Sequence, residues 1–147
     1  MSAPFHELAQ NVLPNLTAEN YRITSPPSWA YNCIAWAVGL TDLWWWPVPG
    51  RYWPPDVLRE ETLDAFVAAL ATRGFSPCSS SEVEWGLEKI ALYSTGNVPT
   101  HAARQLCTGW WTSKLGPSFD VEHSNLEALA GGVYGDPVAF LCRDLAT

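Results

Sequence analysis

Residues 28–39 read Ser28-Trp-Ala-Tyr-Asn-Cys-Ile-Ala-Trp-Ala-Val-Gly39, and the helix that they predict lies at the centre of the expected fold. Ser28 or Asn32 is available to cap a helix, alanine-rich apolar residues fill its body, and Gly39 ends it. The segment is apolar almost all round, which is typical of a helix buried in the centre of a domain. Cys33 stands at the start of this predicted central helix.

The segments around this helix predict helices first and an antiparallel sheet afterwards. Residues 1–27 predict an N-terminal arm, and a Trp- and Pro-rich loop fills residues 44–55. Apolar spacing predicts a second helix from Asp56, its cap, to about Arg73. Further along, the patterns predict strands at 89–93, 101–106, 110–115 and 138–143, a hairpin turn at 107–109, and one or two helical turns within 124–130. This order predicts a single α+β domain over residues 1–147.

Composition narrows the class of protein. A chain of 147 residues with 48% apolar and 16% charged residues fits one domain with a dense core. Fifteen acidic against eight basic residues give a net charge of −7 and no basic cluster, which argues against a nucleic-acid partner and suits a basic protein partner. Because no apolar stretch is long enough for a bilayer and the N-terminus lacks a secretory pattern, we expect a cytoplasmic protein with no membrane partner.

The four cysteines do not form a metal-binding pattern. They are widely spaced and contain no C-x-x-C pair, so we expect neither a structural zinc site nor a cofactor. A catalytic zinc held by Cys33, His101, His123 and a carboxylate is an alternative. It is disfavoured because two metal-binding histidines usually lie closer together, on one element.

Cys33 and His101 are the candidate catalytic pair. A thiol at a helix N-terminus feels the positive end of the macrodipole, which lowers its pKa. The backbone N–H of Cys33, with the Asn32 side chain, is a candidate oxyanion site. His101 opens the predicted strand 101–106 and is suited to exchange a proton with the thiol. The competing interpretation is structural, since cysteine is among the most buried residue types.

These motifs resemble the papain-like fold, and within it the NlpC/P60 and CHAP branch of cysteine peptidases and amidases. The matching residues are Asn32-Cys33-Ile34-Ala35-Trp36, and His101-Ala-Ala-Arg-Gln-Leu followed by Thr108-Gly109-Trp110-Trp111. The resemblance implies a Cys that opens the central helix and packs on a small antiparallel sheet, beside a His that opens a strand. The chain also resembles an uncharacterised bacterial family that shares the runs YNCIAWA, HAARQL and WTSKLG and a D-x-E-H element, which implies no known activity.

In the resembled branch, a polar residue on the strand after the His orients the imidazole. Strand spacing places Ser113 opposite His101, but Ser is a weaker orienting group than a carboxylate. We therefore favour Asp120, then Glu122, both from the run Asp120-Val-Glu122-His123. The competing interpretation of these acids is a cap and first-turn charges for the helical turns around Leu126.

Tryptophans provide the candidate binding surface. Trp44, Trp45, Trp46 and Trp53 lie in the proline-stiffened loop directly after the central helix. Three consecutive tryptophans cannot all point inwards, so at least one is expected to line a cleft or an interface. With Ser113, the four are the predicted substrate contacts; the competing interpretation is that they cover the core.

Two functions follow from these residues. The first is a cysteine hydrolase (a peptidase, amidase or deamidase) that cleaves an amide or thioester bond with Cys33, His101 and Asp120 or Glu122. The second is a non-catalytic acidic binding protein, such as an immunity protein or antitoxin, whose Trp-rich loop meets a basic partner.

Overall fold

The computed structural model describes residues 9–145 and contains a seven-stranded antiparallel sheet with two short helices. The strands follow one another in space as β1-β6-β5-β4-β3-β7-β2. The elements are β1 (Tyr21–Ser25), α1 (Cys33–Ala37), α2 (Leu63–Ala71), β2 (Ser76–Cys78), β3 (Leu87–Thr95), β4 (Val98–Gln105), β5 (Trp111–Lys114), β6 (Asp120–His123), a 3₁₀ turn (Leu126–Leu129) and β7 (Asp136–Asp144). The mixed architecture with an antiparallel sheet confirms the predicted fold class at this level, although β1 precedes the helices.

The sheet separates two apolar clusters. Side chains of α1 and α2 pack with Ile90, Leu92 and Ala102 on one face, together with Trp45 and Trp53. On the opposite face Tyr93 and Val121 pack with residues of the N-terminal segment and of the 3₁₀ turn. Since successive strand residues point to opposite faces, each central strand contributes to both clusters.

Helix α1 is shorter than the predicted helix 28–39. The side chain of Asn32 fixes its start, because Oδ1 accepts the N–H of Ala35 at 3.3 Å and that of Trp45 at 3.0 Å. Asn32 Nδ2 also donates to the carbonyl of Trp45 at 2.7 Å. Ser28, the other candidate cap, accepts the N–H of Ala30 instead, in a bend before the helix. One asparagine therefore caps α1 and ties it to the Trp-rich loop.

Helix α2 also begins later than predicted. Thr62 caps it by accepting the N–H of Ala65 at 3.2 Å. Asp56, the predicted cap, lies in a turn with φ of 70°, a left-handed conformation that cannot open a helix. At nine residues α2 is too short to cross a bilayer, and no other helix within residues 9–145 is long and apolar enough to do so.

The predicted strands are confirmed with shifted ends, and three strands were missed. β4 begins at Val98, so His101 lies inside its strand and does not open it. β1 and β2 are short edge strands, and β6 contains the acids for which a helix cap was the competing interpretation. Of the predicted arm 1–27, residues 1–8 lie outside the described part; the rest contains a helical turn at 9–12 and β1.

Candidate active site

Strands β4 and β5 separate soon after the hairpin that joins them. Their pairing contains two residue pairs, Arg104 with Thr112 and Gln105 with Trp111. On its other side β4 stays paired with β3 as far as Val98. Residues 100–103 of β4 and residues 113–116 therefore face each other without ladder hydrogen bonds, and we call this space the β4–β5 gap.

The sulfur of Cys33 lies beside β4 in this gap. Backbone N–H groups of Ala102, Ile34 and Cys33 itself lie close enough to favour its thiolate.

Burial sets the protonation state of this thiol. It raises the pKa of Cys33 to about 11, against the opposite influence of the three N–H groups and of the Lys114 charge. The direction is the reverse of the one expected from the helix N-terminus, because α1 has only five residues and Cys33 is 6% exposed. At neutral pH the resting thiol is protonated.

His101 belongs to a buried hydrogen-bonded chain. Its Nε2 lies 2.9 Å from Oγ of Ser113, and the same oxygen lies 2.8 Å from Nε2 of His123. Nδ1 of His123 lies 2.9 Å from the carbonyl oxygen of Asn125. The two histidines and Ser113 are fully buried.

When both imidazole rings are neutral, this chain of hydrogen bonds has only one consistent donor-to-acceptor direction. A carbonyl only accepts, so His123 donates from Nδ1 and accepts at Nε2. Ser113 must then donate to His123 and accept from His101 Nε2–H, which leaves Nδ1 of His101 without a proton. Within residues 9–145 this buried Nδ1 has no hydrogen-bond partner. The network assigns His101 the tautomer that a general base needs.

Burial keeps both rings neutral. It lowers the pKa of His101 well below its usual value, and proximity to His123 acts in the same direction. It also lowers the pKa of His123 to about 4, although the Asn125 carbonyl opposes this. A proton accepted by either ring is costly unless a new negative charge forms nearby.

Tyr134 links the thiol side of the gap to the imidazole. Its ring stacks on His101 with the ring centroids 4.1 Å apart, and it also lines the pocket at Cys33. His101 packs on the cluster of Tyr93, whereas Cys33 packs with the opposite cluster. No hydrogen bond joins the Cys33 sulfur to the imidazole in the part of the chain that the structure describes.

The structure brings Ser113 to His101, and places the predicted carboxylates elsewhere. Oδ2 of Asp120 accepts the hydroxyl of Tyr31 at 2.7 Å, and Oδ1 is buried without a partner among the described residues. Glu122 pairs with Arg22 at 2.5 Å near the surface. Both acids are on β6, on the face opposite to His123, because strand residues alternate.

A pocket of ≈ 250 Å³ opens at Cys33. Its described lining carries no charge and consists of Asn32, Cys33, Trp44, Trp46, Thr100, Gly116 and Tyr134. Trp45 and Trp53, predicted to contact substrate, are 1% and 3% exposed and pack in the core. Because the side-chain amide of Asn32 already donates to the carbonyl of Trp45, the remaining candidates for an oxyanion site are backbone N–H groups.

Sequence reasoning did not single out Tyr134 or Thr100. The available signal was the run Gly131-Gly132-Val133-Tyr134-Gly135. A Cβ at Gly135 would lie 1.9 Å from the carbonyl oxygen of Ser94, so only glycine allows this turn to sit against β3. The close approach carries Tyr134 to the ring of His101.

Comparisons with known proteins give one match. A family model described as a domain of unknown function, DUF7689, matches residues 22–142, which include the whole hydrogen-bonded chain and Cys33. No curated protein matches the chain, and no solved structure does.

Proposed function

Given that this chain belongs to the DUF7689 family, we propose that it is a cysteine hydrolase that cleaves an amide or thioester bond. Cys33 is the nucleophile and His101 the general base. The observation that carries the proposal is the directed chain from Asn125 to His101, which leaves Nδ1 free of a proton. The backbone N–H of the next residue, Ala102, favours the Cys33 thiolate.

The reaction begins from a neutral pair. As the sulfur attacks the carbonyl carbon, Nδ1 of His101 accepts the thiol proton, and the imidazolium that forms is compensated by the nascent oxyanion. The backbone N–H groups of Cys33 and Ile34, which lie by the sulfur in the resting protein, are the donors available to the oxyanion. The imidazolium then protonates the leaving nitrogen or sulfur, and water attacks the acyl-enzyme with His101 again as base.

The proposed reaction requires the thiol to close onto the imidazole when substrate binds, because the two side chains pack with opposite clusters in the free protein. Catalytic hydrogen bonds are often long in the free enzyme and tighten in the complex. Ser113 and His123 orient the ring in place of a carboxylate, as a relay that ends on a backbone carbonyl. A helix-borne Cys beside a His-bearing strand also supports the papain-like arrangement as part of this proposal.

The lining of the pocket favours a neutral acyl group. Trp44, Trp46 and Tyr134 offer flat apolar surfaces, and the described lining has no charged side chain to hold an ionic substrate. Such walls bind planar or aromatic groups with little loss of side-chain entropy.

The test uses an aromatic acyl thioester and the matching p-nitrophenyl ester. We expect mass spectrometry to find an acyl group on the peptide that contains Cys33. We also expect absorbance to show that the protein hydrolyses the probes repeatedly. Cys33→Ser should abolish both, and His101→Gln should slow acylation by at least about 100-fold because the base is lost.

Cys107→Ser is the matched control, since Cys107 is free and exposed. This variant should keep the wild-type rate, and circular dichroism should show that each variant is folded. Acylation of Cys107 with Cys33 untouched would refute the proposal, as would an unchanged rate in folded His101→Gln.

One observation favours the second candidate, a binding protein. Trp29 is 71% exposed and stacks on Trp44 at a centroid distance of 5.8 Å, while Arg51 lies over the same ring. This surface, together with the charge of −7, suits a basic partner. If Cys33 takes up no acyl group from either probe, the binding proposal replaces the hydrolase.

A further inference from the structure

Two cysteines far from the β4–β5 gap face each other across an edge of the sheet. Cys78 of β2 pairs with Phe140, and Cys142 of β7 pairs with Ser76. In an antiparallel pair this register makes the cysteines diagonal neighbours on one face. Both are partly exposed.

The two thiols are in contact. Burial raises the pKa of Cys142, and a hydrogen bond with the Cys78 side chain acts in the same direction. A hydrogen bond that keeps Cys142 protonated is one in which Cys142 donates and Cys78 accepts. The two sulfur atoms are therefore neighbours.

A buried cation lies beside the pair. Lys89 is fully buried and pairs with Cys142 across β3 and β7. Its Nζ donates to the carbonyl of Ser80 at 2.9 Å and forms an ion pair with Glu84. The Cys78 thiol donates to the same Ser80 oxygen at 3.9 Å, so one carbonyl joins the ammonium group to the cysteine pair. The Lys89 charge favours the thiolate of Cys142, and the Glu84 charge opposes it.

We propose that Cys78 and Cys142 form a redox-active dithiol that a peroxide converts into a disulfide. One thiol of the pair attacks one peroxide oxygen as its thiolate and becomes a sulfenic acid, and the hydroxide that leaves takes up the thiol's proton and departs as water. The sulfur of the other cysteine then attacks the sulfenic sulfur, loses its proton and expels a second water. The two thiols lose two electrons in total, and one hydrogen peroxide is reduced to two waters.

The disulfide would fasten an edge of the sheet. β2 has three residues and follows α2 closely, so the bond fixes the end of the α2–β2 segment to β7. Closing the long loop between residues 78 and 142 restricts the unfolded chain. We therefore expect oxidation to raise the Tm by roughly 5–15 °C.

The test treats the full chain with a small excess of hydrogen peroxide and maps its peptides without reduction. We expect a cross-linked peptide pair holding Cys78 and Cys142, a mass loss of two hydrogen atoms, a higher Tm, and full reversal by dithiothreitol. Cys107→Ser and Cys33→Ala should behave as the wild type does, which separates this site from the proposed catalytic thiol.

Three results would overturn the proposal. The first is oxidation of Cys78 to sulfinic acid with no cross-link in the wild-type chain. The second is a cross-link that involves Cys107 in its place. The third is an unchanged peroxide response, by Tm and mass, in Cys78→Ser and Cys142→Ser.

Discussion

Ser113 is the residue on which the geometry of the buried chain depends. Its hydroxyl donates to one imidazole and accepts from the other, at 2.8 and 2.9 Å. A carboxylate at this position would accept from both rings and would bring a charge into a fully buried place. The weaker hydrogen-bonding group is thus the one that suits two neutral rings.

We predict that Ser113→Ala destabilises the fold by about 2–4 kcal/mol, because it leaves two buried ring nitrogens without partners. Under the proposed function it also lowers the acylation rate by roughly 10- to 100-fold, since the tautomer of His101 is no longer fixed. Urea unfolding and the thioester assay measure the two effects.

Ser118→Ala is the control for this change, because Ser118 contributes its backbone carbonyl, and not its side chain, to the Lys114 contacts. We expect less than about 0.5 kcal/mol of destabilisation for it. Equal losses in the two variants would mean that the hydroxyl of Ser113 has no special part.

The sequence indicates which residues are candidates for the site, but it does not indicate which side chains they contact. Cys33 and His101 were selected as candidates from their positions in the predicted helix and strand, and Ser113 from its spacing along the next predicted strand. Asp120 was preferred to Ser113 on chemical grounds, but in the structure it accepts from Tyr31, which lies 89 positions away in the chain. The strand alternation that turns Asp120 away from His123 becomes visible only once β6 is known to be a strand.

At the scale of elements, α1 depends on its first residue more than on its length. Five helical residues have little stability of their own, so the cap and the packing of the apolar side chains hold the helix. The same cap makes three hydrogen bonds, two of them to Trp45.

Asn32→Ala should therefore cost about 2–4 kcal/mol, because it removes a helix cap and leaves backbone groups of Trp45 buried and unpaired. Thr62→Ala, which removes only the cap of α2, should cost about 1 kcal/mol. Chemical denaturation of both variants gives the comparison. A cost for Asn32→Ala no larger than that of Thr62→Ala would show that the bonds to Trp45 add nothing.

The glycine-rich turn before β7 offers a second comparison between elements. Gly135→Ala forces a Cβ to within 1.9 Å of a backbone oxygen at a φ of 73°, so we expect a loss of at least about 3 kcal/mol and a displaced Tyr134. Gly96→Ala, at a φ of 61° in open space, should cost about 1 kcal/mol. Unfolding midpoints and near-ultraviolet circular dichroism report the two effects; similar costs would contradict the close approach.

Periodicity predicted elements well where one face is apolar and poorly where both are polar. β3 and β7 carry clear apolar patterns and were found. The run Asp-Val-Glu-His of β6 has polar residues at both registers, and its burial comes from partners on β1 and β5.

At the scale of the whole molecule, the two buried histidines make stability depend on pH. Unfolded, His123 titrates near 6.5; folded, its pKa is about 4. Between these values the unfolded state binds more protons, so the free energy of unfolding falls as pH falls through this window. The shift corresponds to about 3 kcal/mol for His123, and His101 adds a loss of the same sign.

We therefore predict a marked fall in the urea midpoint between pH 6.5 and pH 4, which equilibrium unfolding at fixed ionic strength measures. His123→Gln should make the dependence shallower, because one of the two groups no longer titrates. A wild-type midpoint that stays constant across this window would contradict neutral burial of the two rings.

The fold class of the protein could be predicted from composition and periodicity, because both report local structure and average burial. The order of the strands did not follow, since β1 and β6 pair through residues about a hundred positions apart.

The short β4–β5 ladder divides the sheet into two sets of strands, one with β1, β6 and β5 and the other with β4, β3, β7 and β2. Where the ladder ends, the hydrogen bond between His101 of β4 and Ser113 of β5 joins the two sets, and Cys33 lies beside Ala102 of β4. Under the proposed function, the catalytic groups thus also hold the two sets of strands together. A substrate that enters the pocket then has to weaken these contacts, so substrate binding and the rigidity of the sheet oppose each other.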